Sequence, residues 1–154
     1  MNNLAELYDT DYNAWVIGNT ELLRLGKLEQ LDIAHLIEEL EDMGKSAQHE
    51  LTNRFITLLM HLLKWKYQLN LLNERWKEFD GKSWRSTIIE QRTRIKMQIE
   101  EAPGLKNCLK DAFHKAYPGA LRLAVKETGL PAKIFPQSCP FSLEQTMDDD
   151  FWPK

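Results

Sequence analysis

Cysteine is scarce and unorganised. Cys108 and Cys139 are the only two, with no CxxC spacing, which excludes a disulfide framework or a paired zinc set and leaves two reduced thiols as the expectation. No apolar run approaches the ~20 residues a bilayer crossing needs. The stretch from Met1 to Tyr12 carries acids and no basic n-region, so neither a membrane span nor a secretory signal is expected, and the expected location is cytoplasmic. There is no internal repeat, no low-complexity tract and no Gly/Ser linker, and the β-branched residues nowhere alternate as a strand requires. GxSxG, Walker, GxGxxG and HExxH patterns are all missing, which removes the commonest nucleophile, nucleotide and zinc signatures. Di-iron bundles place Glu-x-x-His on two helices, and that pattern is absent too; the reversed His35 to Glu38 pair reads as solvated. No metal and no cofactor is expected.

What is present is an ordinary soluble composition. The 154 residues are 43% apolar and 28% charged, sufficient for one all-helical domain over 1–154, of which about 131–154 would form a C-terminal arm packed on a bundle. The net charge of −3 conceals segregation. Residues 1–50 hold 3 basic and 11 acidic side chains, residues 51–126 hold 15 and 7, and residues 127–154 hold 2 and 5. A basic middle can be a nucleic-acid footprint, but the acidic segment is of a size to neutralise it internally.

Apolar spacing and end signals predict five main helices. The first runs from the turn-prone Asp9, Thr10, Asp11 to a stop at Gly26. The second opens on Asp32 as N-cap, carries Ile33, Leu36, Ile37, Leu40 and Met43 at helical spacing, and ends at Gly44. Ser46 caps a third, whose apolar arc of Leu51, Phe55, Ile56, Leu58, Leu59, Leu62, Leu63 and Trp65 is wide enough to place it centrally. A loop or short ordered turn over Leu69 to Lys82 precedes a fourth helix capped by Ser83 and ended by Pro103 and Gly104. The fifth runs from about Leu105 to Thr128, is kinked or split by Pro118, and is closed by Gly129. Ser142 to Gln145 matches a capping box for a short helix in the arm.

The fourth helix puts Trp84, Ile88, Ile95 and Ile99 on one stripe, and the gap in that stripe falls on Gln91 or Arg92. A cation in an apolar seam needs a partner, so Arg92 is expected either to meet Glu39 or Glu41 of the second helix or to carry its head to water. His61 lies at the edge of the buried arc beside Lys64 and Arg54. Together with Glu39 its imidazole could act as a general base or a single metal ligand, with Lys64 or Arg92 clamping a phosphate.

From Glu38 to Gly44, from Leu58 to Trp65 with its His-Leu-Leu-Lys-Trp block, at Ser83 to Arg85, Gln91 and Arg92, Glu127 to Leu130, and Phe135 to Pro140, the chain resembles a bacterial family known as domain of unknown function number twenty-nine. The resemblance implies an all-helical fold and no established activity. It directs attention to Glu39, His61, Lys64, Arg85, Gln91 and Arg92 and assigns none of them a role. The leading expectation is an interaction module for a protein partner or a second copy, on the strength of Trp15, Trp76 and Trp152, which look exposed. The alternatives are a hydrolase or nuclease built on Glu39 and His61 and, more weakly, nucleic-acid binding through Lys82, Arg85, Arg92, Arg94 and Lys96 with Trp84 stacking.

Overall fold

The computed structural model describes residues 3–69 and 81–154. The described residues are helical with no strand, as expected. Their helices are α1 (Leu4–Thr10), α2 (Tyr12–Arg24), α3 (Ile33–Tyr67), α4 (Lys82–Glu101), α5 (Lys106–Thr128) and α6 (Leu143–Met147). The chain divides into two compact units, Met1–Ser46 and Ala47–Lys154.

Two expected helices are one. Gly44 does not end the second helix and Ser46 does not cap a third, because α3 runs unbroken for 35 residues through both. Gly44 is absent from the glycines with positive φ, so no left-handed stop forms there. The residues after it, Lys45, Ser46, Ala47 and Gln48, all tolerate a helix, and an interior glycine costs only about 1 kcal/mol against alanine. Gly26 and Gly129 do adopt φ of 71° and 68° and close their helices where expected. The first expected helix is α2, opened by Asp11, whose carboxylate accepts the Ala14 N–H, while α1 before it was not expected. α4 begins at Lys82 with Gly81 in the capping position, not Ser83.

Pro118 does not split α5, which spans it as one helix. The bond it removes is that of the His114 carbonyl, and since both residues are exposed, water can take the proline's place. Ser142 and Gln145 form the expected capping box on α6.

The C-terminal unit has the larger core. Leu51, Phe55, Leu58, Leu59, Leu62 and Leu63 of α3 are fully buried, and with them pack Ile88 and Ile95 of α4 and Phe113, Ala116, Tyr117, Ala120 and Ala124 of α5. The segment after α5 adds Phe135 and Phe141 to this core. It is fixed where the Tyr117 hydroxyl donates to the Pro136 carbonyl (2.5 Å) and where Phe141 packs edge-on against Phe151.

The N-terminal unit is held differently. Trp15 is its one buried apolar side chain among the described residues, only 3% exposed, which corrects the expectation of an exposed indole. Around it runs a polar network. The Trp15 indole N–H donates to Asp32 (2.8 Å), Asp32 also meets His35 Nδ1 (2.6 Å), and Asn19, itself buried, accepts the Asp32 backbone N–H (3.1 Å). Tyr8 stacks on His35 with ring centroids 4.1 Å apart. Burial alone would raise the Asp32 carboxyl, but the bonds from Trp15 and His35 outweigh it and hold the group below its ordinary value.

Candidate functional site

The side chains singled out by sequence fall into both units. Glu39 belongs to the N-terminal unit, where both its oxygens are engaged: Tyr8 donates to one (2.6 Å) and Tyr12 to the other (2.7 Å). The two hydroxyls hold the carboxyl below its ordinary range, and in return the Tyr8 phenol is pushed up to about 12. An ionised carboxylate with two short donors is a structural acceptor. Tyr8 and Tyr12 lie on different helices, α1 and α2, and which acid they share was not written in their neighbourhood.

His61, Lys64, Arg85, Gln91 and Arg92 belong to the C-terminal unit. α3 supplies the first two. The His61 ring is half-buried, and its Nδ1 lies 2.8 Å from the Thr57 carbonyl one turn back. A carbonyl can only accept, so Nδ1 carries the proton and Nε2 keeps the lone pair. Lys64, one turn on, is paired with Glu127 of α5 (2.9 Å) and lies 5.5 Å from the centre of the Trp84 ring. Burial lowers the His61 pKa and outweighs the opposing Thr57 bond, while Lys64 lowers it and Glu127 raises it to smaller extents.

The sign of this shift fixes a pH dependence. A base that binds its proton less readily when folded contributes stability above its unfolded pKa of about 6.5 and loses that contribution as pH falls below it. An NMR titration of His61 is therefore expected to give a midpoint below about 6.5, and His61→Phe to flatten the decline of stability between neutral and mildly acidic pH. A midpoint at or above the ordinary value would contradict the burial.

α4 supplies the other three. Arg92 is fully buried, and neither sequence expectation describes it: its partners are main-chain carbonyls, and its head does not reach water. Its Nε donates to the Thr146 carbonyl (2.8 Å) and its Nη2 to the Phe151 carbonyl (2.8 Å), with the Gln145 carbonyl at 3.5 Å. Burial lowers its pKa, opposed by the charges of Asp149 and Asp148. The guanidinium also lies 5.4 Å from the centre of the Trp152 ring, and Arg85 approaches the same ring at 4.9 Å. Trp152, half-buried, packs on Trp65 of α3 with centroids 4.8 Å apart. The Gln91 Oε1 is buried and meets no donor among the described residues. Trp76, and residues 70–80 of the loop or turn expected before α4, lie outside the described residues.

Of the candidate residues, Arg85 and Arg92 contact the C-terminal segment. Arg92 holds its carbonyls, Trp65, Arg85 and Arg92 hold its indole, and Lys96 pairs with Asp149 (2.8 Å) just outside. Glu127 and the carbonyls of Thr146 and Phe151 are the participants sequence reasoning missed, and an acceptor on the main chain carries no residue-type signal. Of the basic residues considered for nucleic acid, Arg92 is buried, Arg94 is paired with Glu90 (2.7 Å) and Lys96 with Asp149. Among the described residues no three His, Cys, Asp or Glu side chains converge as metal ligands. Cys139 is half-buried, and burial pushes its thiol up, away from the reactive thiolate. No described helix is long and apolar enough to cross a membrane.

No curated protein and no solved structure matches the chain. The model of one family does, over residues 7–152, nearly the whole length. The chain belongs to the family described as Domain of unknown function DUF29.

Proposed function

We propose that the chain is a helical interaction module that docks a protein partner through its N-terminal unit. One observation supports this above the rest. Of the fourteen large apolar side chains exposed among the described residues, ten lie between Tyr12 and Met43. Isolated exposed apolar residues are ordinary, whereas such a concentration in one small unit marks an interaction surface. Ile33, Ile37, Leu40 and Met43 of α3 are each more than half exposed, although their spacing is that of a core-facing stripe. The polar residues that suggested chemistry support the same reading by their engagement: Glu39 with two tyrosines, Lys64 with Glu127 and Arg92 with backbone.

The test is site-specific photocrosslinking in the native host, with the crosslinker at position 40 or, as control, at the exposed Ile89 of α4. A discrete product is expected at 40 and not at 89. The identified protein, purified and recombined with this chain, is expected to bind, and Ile37→Asp to abolish binding while far-UV circular dichroism is unchanged. No product at 40, or reconstituted binding indifferent to Ile37→Asp, would refute the proposal.

A further inference from the structure

We infer that the partner element for this face is an amphipathic helix whose apolar seam is bordered by lysine and arginine; the inference rests on the interaction-module reading. The spacing argues for a helix. Ile33, Ile37 and Leu40 follow one another at intervals of four and three, the seam spacing with which one helix receives the knobs of another. All three are exposed, at 57%, 51% and 65%, so the seam has no occupant among the described residues.

The charges argue for the sign. From Leu28 to Gly44 there is no lysine or arginine and there are six acids. Asp32 and Glu39 are engaged inside the unit, which leaves Glu29, Glu38, Glu41 and Asp42 exposed and in none of the ion pairs found among the described residues. On the wheel Glu41 stands about 40° beyond Ile37, on the flank of the seam. The unit as a whole has three basic and ten acidic side chains, a net −7. A second copy applied through the same face would set this acidic border against itself, and an anionic lipid surface would be repelled by it. A basic border on the partner meets neither obstacle and is drawn in by the long-range field.

The experiment uses the full chain and two labelled synthetic helices of about five turns with one leucine seam, one bordered by Lys and Arg, the other by Glu. Affinities are read by fluorescence anisotropy at low and at physiological salt. The basic helix is expected to bind at least ten times more tightly than the acidic one, and to weaken with salt. Ile37→Asp should abolish binding, and Glu38→Lys with Glu41→Lys should reduce the preference severalfold. All three substitutions are at exposed positions, and retained circular dichroism would show the fold intact. Equal affinity, preference for the acidic helix, binding of the chain to phosphatidylserine vesicles in place of either helix, or a dimer in light scattering that Ile37→Asp dissolves would each overturn the inference. If neither helix binds while position 40 still crosslinks a partner that reconstitutes, this inference fails and the interaction reading stands. If both fail, the face has no docking role.

Discussion

Arg92→Met is expected to destabilise the C-terminal unit by about 2–5 kcal/mol, although it replaces a buried cation with an apolar side chain of similar length. Exchange of a buried ion pair for apolar residues is often harmless because both charged partners leave together. Here the partners are the carbonyls of Thr146 and Phe151, which no side-chain substitution removes. A buried carbonyl left without a donor, as at Thr146, costs roughly 1–3 kcal/mol, the half-buried Phe151 carbonyl adds less, and the Trp152 ring loses the cation 5.4 Å from its centre. Arg92→Lys should recover only part of the loss, since one ammonium cannot reproduce the two diverging donors of a guanidinium. The C-terminal segment should be the first element to loosen, which amide exchange at Thr146 and Phe151 would register together with the urea midpoint. Arg92→Met with wild-type stability and undisturbed exchange there would mean that the arginine does not secure the segment.

The second large effect contrasts two leucines on one helix. Leu62→Ala is expected to cost about 2–5 kcal/mol, because Leu62 is fully buried among well-packed neighbours that cannot collapse into the space. Leu40→Ala, at a side chain 65% exposed, is expected to stay within about 0.5 kcal/mol of wild type. Chemical denaturation measures both. A comparable loss at the two positions would show that Leu40 is packed in solution.

Features of local chemistry were legible in the sequence. Gly26 and Gly129 as stops, the Ser142 to Gln145 box and the wide apolar arc from Leu51 to Leu63 each depend on residues within a turn or two, and each formed as expected. Gly44 was misread because glycine is both a good stop and a tolerable interior residue, and only the chain that follows decides between them. The apolar residues from Ile33 to Met43 show a second ambiguity: a stripe bordered by acids has the same spacing whether it faces a core or a partner. At Arg92 the requirement for a buried partner was legible and the partner was not, since backbone oxygens 53 to 59 residues away leave no mark on residue type. Glu39 was noticed for its charge, while the hydroxyls that occupy it sit 31 and 27 residues earlier.

Residue-resolved hydrogen exchange along α3 tests the central claim most directly, because one continuous helix is held to serve as core in one stretch and as a waiting surface in another. Amides from Leu51 to Leu63 are expected to exchange only through global opening, and those from Ile33 to Met43 orders of magnitude faster in the isolated chain. Equal protection of the two stretches would contradict the account.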